Sequence, residues 1–87
     1  MYYIKLNKQA KKFIEKQDKV LKQRIKRVLE SLQLNPYPTN EELDIKKMIN
    51  TQNYRLRIGK FRLLYFIENN ELIIIIEKID SRGDIYK

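Results

Sequence analysis

Histidine and cysteine are both absent from this 87-residue chain. Imidazole acid/base catalysis, thiolate nucleophiles, disulfides and Cys/His zinc sites are therefore excluded. What remains for chemistry is guanidinium, ammonium, carboxylate and phenol. Four of the six arginines, Arg55, Arg57, Arg62 and Arg82, fall in the last third, whereas lysine is scattered along the chain. A guanidinium presents a planar fork of donors that pairs bidentately with phosphate or carboxylate, which an ammonium does not. With a formal net charge of +8 and a pI near 9.8, the expected partner is a polyanion, either nucleic acid or an acidic protein.

The spacing around these arginines has the period of a strand. Tyr54, Leu56 and Ile58 alternate with Arg55 and Arg57, and after Gly59-Lys60 the alternation resumes at Phe61, Leu63, Tyr65 and Ile67. Glycine at the first central position suits a two-residue type II′ hairpin turn. That turn pairs Ile58 with Phe61 and sets Arg57 across from Arg62, with Arg55 on the same face. Like charges opposed across strands repel, so the pair needs solvent, a counterion or an anionic ligand. A second turn at Asn69-Asn70 is expected to bring Glu77 across from Arg62 and Ile75 across from Leu64. The arginine face also carries Leu64, Phe66, Ile73 and Ile75, an apolar half that calls for a cover: a partner chain, a second copy or the protein's own tail. The opposite face collects Tyr54, Leu56, Ile58, Phe61, Leu63, Tyr65, Ile67, Leu72, Ile74 and Ile76 and must pack against the helices.

The elements that position this hairpin follow from the rest of the chain. Tyr2–Leu6 is β-prone, and Asn7 is placed to cap a helix from about Lys8 to Gln17. Asp18 caps a second, whose stripe of Val20, Leu21, Ile25, Val28, Leu29 and Leu32 ends before Asn35-Pro36-Tyr37-Pro38. Residues 39–53 hold no period and read as a loop with a short strand around Ile45–Ile49. The unbroken apolar run Leu72–Ile76 reads as a strand buried on both faces. The fold class is α+β, a single domain over residues 1–87. An N-terminal strand and two antiparallel helices pack on one face of a small antiparallel sheet. Residues 1–34 carry +7, residues 35–53 carry −1 and residues 54–87 carry +2. No run approaches the roughly 20 apolar residues that span a bilayer, and the N-terminus lacks the apolar core of a secretory signal. A soluble cytoplasmic protein without a membrane partner is expected.

The stretch Tyr54-Arg55-Leu56-Arg57-Ile58-Gly59-Lys60-Phe61-Arg62-Leu63-Leu64-Tyr65, with the terminal Ser81-Arg82-Gly83-Asp84-Ile85-Tyr86, resembles the signature of the RelE/ParE superfamily of type II toxin–antitoxin toxins. The lysine-containing segment Leu43–Met48 is similar to the one that precedes that signature in the family. The RelE branch implies a ribosome-dependent endoribonuclease that cuts messenger RNA in the decoding site by attack of the ribose 2′-oxygen on the adjacent phosphate. The resemblance implies that no metal or other cofactor takes part. The resemblance assigns Arg57, Arg62, Arg82 and Tyr86 to catalysis, and Arg55, Lys46, Lys47 and Lys60 to RNA and phosphate binding. It also implies a cognate acidic antitoxin covering Leu64, Phe66, Ile73 and Ile75. Arginine cannot deprotonate a hydroxyl near neutrality. The proton is then left either to a tyrosinate at Tyr86 or to charge stabilisation with weak base catalysis. Two other readings stand beside this one: a ParE-like inhibitor of DNA gyrase, and a nucleic-acid-binding module without chemistry.

Overall fold

Two side-chain caps start the helices where the sequence places them. In the computed structural model, which describes residues 1–68 and 70–81, Asn7 accepts from the Ala10 N–H at 3.0 Å and begins α1, Lys8–Glu15. Asp18 accepts from the Leu21 N–H at 2.8 Å and begins α2, Lys19–Leu34. Each oxygen satisfies one of the amides that a helix N-terminus leaves without a partner. The strands are β1 (Tyr3–Leu6), β2 (Asp44–Lys47), β3 (Tyr54–Ile58), β4 (Phe61–Glu68) and β5 (Ile73–Ser81). They form one sheet in the order β1-β5-β4-β3-β2. The chain enters at one edge, passes through both helices, and returns from the far edge as a meander. The sheet is not wholly antiparallel, because β1 lies parallel to β5.

The first hairpin has the expected register, with Ile58 opposite Phe61 and Arg57 opposite Arg62. Gly59 carries a φ of +56° while Lys60 does not adopt a positive φ, as a type II′ turn requires. A Cβ at Gly59 would also lie 2.9 Å from the Arg24 guanidinium, so the side chain of Arg24 reaches from α2 to this turn.

The second hairpin departs from the expected register. Glu68 pairs with Ile73, so four residues rather than two make the connection, and Leu72 within it has a φ of +55° and is 46% exposed instead of joining the core. A bulge between Leu64 and Tyr65 then adds one more step, because Tyr65 pairs with Ile76 and Leu64 with Lys78. Glu77 is the extra residue, and Asp80, not Glu77, stands across from Arg62. Ile75 accordingly faces Phe66 rather than Leu64. The apolar spacing explains the slip. Ile74, Ile76 and Ile79 are all buried, and a strand of strict period two cannot point three residues spaced by two and then three to one side. Ile73 and Ile75, on the other side, are only half-buried, so β5 is sealed on one face and not on both.

The helices cover the face bearing Leu56, Ile58, Leu63, Tyr65, Ile74, Ile76 and Ile79, into which Ala10 and Leu32 insert. Each such large side chain contributes about 1.5–3 kcal/mol on burial. Phe13 of α1 meets Phe61 edge-on at 5.2 Å between centroids, anchoring the helix beside the Gly59 turn. Between α2 and β2 the chain is organised by Asn40, whose buried amide donates to the Ser31 and Asn35 carbonyls and accepts from the Glu42 N–H. Tyr65 ties the same loop to the sheet, its hydroxyl donating to the Pro36 carbonyl at 2.7 Å while Tyr54 stacks on its ring.

Burial, reinforced by the neighbouring phenols of Tyr54 and Tyr37, pushes the Tyr65 hydroxyl above its ordinary value of 10.0. The unfolded chain then releases this proton before the folded one does. The contribution is complete below about pH 10 and falls by about 1.4 kcal/mol per unit as pH rises beyond it. Tyr65→Phe, which strands the Pro36 carbonyl, is expected to lower urea-unfolding stability by about 1–2 kcal/mol at pH 7 with an unchanged m value. The gap between the two proteins should close as the measurement is repeated from pH 10 upward.

Candidate functional site

Among the described residues no element covers the sheet face opposite the helices, and the register arranges that face in rows. One row runs Asp44, Arg57, Arg62, Asp80 across β2, β3, β4 and β5. The next runs Lys46, Arg55, Leu64, Lys78. Beyond them Phe66 pairs with Ile75 and Glu68 with Ile73, and β1 adds Lys5 beside Ile75 and Tyr3 beside Ile73. The face is therefore cationic toward the Gly59 turn and apolar toward the other end. Leu64, Phe66, Ile73 and Ile75 are each half-buried, and Tyr3 is 73% exposed.

Within the cationic half the arginines are held but not satisfied. Arg55, Arg57 and Arg62 are half-buried, and the Nε atoms of Arg55 and Arg62 are shielded from solvent without a hydrogen-bond acceptor among the described residues. Asp80 Oδ1 lies 4.0 Å from Arg62 Nε, a Coulombic contact too long for a hydrogen bond. Its other oxygen, Oδ2, is 3.3 Å from Lys78 Nζ. Five cations face two carboxylates over these two rows, a surplus that suits an anion with several oxygens.

The other candidate residues are distributed by strand alternation. Lys46 shares the arginine face, but Lys47 points to the opposite one, 5.2 Å from the Tyr54 ring and donating to the Thr51 carbonyl at 3.0 Å. Lys60 is exposed in the hairpin turn at the end of the face. Arg82 and Tyr86 lie outside the described residues. Neither Lys78 nor Asp80 is among the candidate site residues taken from the sequence. Their signal is the change of apolar spacing from Ile76 to Ile79, which marks the bulge that turns both outward. A groove of about 510 Å³ lies away from this site, between β1 and the helices, lined by Ile4, Leu6, Ile14, Ile25 and Leu29. Among the described residues no three carboxylates converge as a metal site would need, and no helix is long and apolar enough to cross a membrane.

The opposition of Arg57 and Arg62 yields a direct expectation. Replacing Arg57 by Gln removes a like-charge pair worth about 0.2–1 kcal/mol, so the variant should melt no lower than the parent at low ionic strength. Millimolar sulfate should raise the melting temperature of the parent and do so less in the variant. Equal sulfate shifts would remove Arg57 from the anion site.

Comparison with known proteins adds a family to this geometry. Residues 4–86 match the family model described as ParE toxin of type II toxin-antitoxin system, parDE. A protein named as the toxin RelE1 of Methanocaldococcus jannaschii is 43% identical over 65 residues, 74% of this chain and 71% of that protein. A chain of the archaeal RelE–RelB complex from Pyrococcus horikoshii OT3 superposes with a TM-score of 0.81 at 28% identity, covering 94% of this chain and 96% of that one. A chain of the RelB–RelE antitoxin–toxin complex from Methanococcus jannaschii gives a TM-score of 0.73 at 25% identity, with 94% of each covered. The chain belongs to the RelE/ParE superfamily of type II toxin–antitoxin toxins, and these named relatives are RelE proteins.

Proposed function

We propose that this toxin is a ribosome-dependent endoribonuclease that cleaves messenger RNA by attack of the ribose 2′-oxygen on the adjoining phosphate, without a metal ion. The observation that carries the reading is the placement of Arg57 and Arg62 directly opposite each other on one sheet face, where the Nε atoms of Arg62 and the neighbouring Arg55 lack acceptors among the described residues. Fixed cationic donors of this kind stabilise the charge that accumulates on a phosphorane, and they require no rearrangement as the reaction proceeds. Arg55, Lys46 and Lys78 extend the cationic surface along one row and would hold the flanking backbone. Arg82 and Tyr86 are proposed to complete the site on the strength of the sequence resemblance alone. The setting would be the cytoplasm, where ribosome and message meet.

The apolar half of the same face is proposed to receive a cognate acidic antitoxin. Leu64, Phe66, Ile73 and Ile75 would bury against apolar residues of that partner, whose acids would offset the +8 of this chain. Relatives of this fold occur in complexes named RelE–RelB, which supports a partner of that kind.

Induced expression is expected to arrest translation first, with new 5′ ends mapping inside codons of ribosome-bound messages. Arg62→Ala should reduce cleavage by about 100- to 1,000-fold, the range for loss of one donor to a developing oxyanion, and should relieve growth arrest while the protein stays folded. Intact messages together with altered plasmid supercoiling would instead assign the chain to gyrase inhibition.

A further inference from the structure

We propose that Asp80 is the general base of this site, taking the proton of the attacking 2′-hydroxyl, with Lys78 holding its carboxylate in position. The proposal rests on the nuclease reading above. Guanidinium and ammonium groups dominate the open face, and a guanidinium is a donor that has no capacity to accept a proton. A carboxylate has that capacity, and two stand in the row of the opposed arginines. Asp44 is exposed at the β2 edge of the sheet. Asp80 is the enclosed one, its side chain 22% exposed, on β5 directly across from Arg62.

The two carboxylate oxygens are differently engaged. Oδ2 is taken by Lys78 Nζ at 3.3 Å, whereas Oδ1 faces Arg62 Nε at 4.0 Å and makes no hydrogen bond among the described residues. A phosphate seated on the Arg62 guanidinium brings its neighbouring ribose against Oδ1, because a 2′-oxygen poised for attack lies about 3–3.5 Å from phosphorus. That places the hydroxyl within reach of the free oxygen, directly or through one water.

The step balances without any further reagent. Oδ1 accepts the 2′-hydroxyl proton, the 2′-oxygen bonds to phosphorus, and the bond from phosphorus to the 5′-oxygen breaks. The 5′-oxygen takes a proton from water, and the hydroxide left behind recovers the proton from Asp80. The products carry a 2′,3′-cyclic phosphate and a 5′-hydroxyl, while Arg57 and Arg62 hold the non-bridging oxygens throughout.

A base and a mere counterion predict opposite responses to neutralisation. Deleting a negative charge from a cationic cluster strengthens its hold on phosphate, so a counterion role means that Asp80→Asn binds and cleaves at least as well as the parent. A base role means that binding is kept and cleavage is lost. The experiment measures single-turnover cleavage of ribosome-bound messenger RNA, and affinity for the same complex carrying a 2′-deoxynucleotide at the scissile position. Asp80→Asn is expected to bind the deoxy complex as tightly as the parent or tighter, and to cleave the normal message at least 100-fold more slowly. Asp80→Glu, which restores a carboxylate, is expected to cleave at least tenfold faster than Asp80→Asn. Cleavage by Asp80→Asn at the parental rate, or a glutamate variant no faster than the asparagine one, overturns the assignment while leaving the nuclease reading intact. Failure of the parent itself to cut the message overturns both.

Discussion

Where β1 ends, β5 continues for several residues paired with β4 on one side only, and Gln9 takes the place of a strand on the other. Its amide donates to the Ile79 carbonyl at 2.9 Å and its oxygen accepts from the Ile79 N–H at 3.0 Å. Asn7, having capped α1 with its oxygen, uses its nitrogen to donate to the Glu77 carbonyl at the bulge. The first turn of a helix thus supplies partners for backbone groups of Glu77 and Ile79, which removes the penalty those groups would carry if bare. Everything on the far half of β5 depends on this. A one-residue slip exchanges the faces of a strand, so without the bulge Lys78 and Asp80 would turn toward the core and Ile79 toward solvent. The helix that covers one face of the sheet therefore decides which charges appear on the other.

The open face accepts a conflict that the covered face can outweigh. Opposed arginines on β3 and β4 cost a fraction of a kcal/mol to about 1 kcal/mol. The same two strands bury Leu56, Ile58, Leu63 and Tyr65 beneath the helices, each far more favourable than that. Local disagreement between charge pattern and fold is characteristic of functional positions, where one rule is broken and the surrounding packing outweighs it. The acids at the ends of the row, Asp44 and Asp80, moderate the repulsion without cancelling it.

How much of this was readable from residues alone depended on whether the determinants were local. Asn7 and Asp18 act on amides three residues away, and Gly59 acts on its own φ, so both helix starts and the first hairpin, with its opposed arginines, were legible. The second hairpin was not. Its turn contains Leu72 at positive φ, a residue type that carries no turn signal, and its bulge is supported by Asn7 and Gln9, some seventy positions away. The pairing of β1 with β5 has the same character, since a parallel neighbour leaves no mark in the spacing of either strand. Residues 39–53 were opaque because Asn40 works through carbonyls that any residue types could supply. The alternation of β2 then sends Lys46 and Lys47 to opposite faces, which a pair of adjacent lysines cannot reveal without knowing that they lie in a strand.

The two populations of positive charge act at different ranges. The lysines of α1 and α2 are exposed on the layer beyond the core, so the packed layers separate them from the arginine face by roughly 10 Å. That distance matches the screening length at about 0.1 M salt, so they add little to the potential felt by an anion on the open face. A small anion there would meet Arg55, Arg57, Arg62, Lys46 and Lys78 against Asp44 and Asp80, whatever the total charge. The net +8 governs encounter with something much larger, a polyanion broad enough to present charge to both layers at once. Salt should therefore weaken attachment to a large polyanion steeply while leaving the local geometry of the arginine row intact.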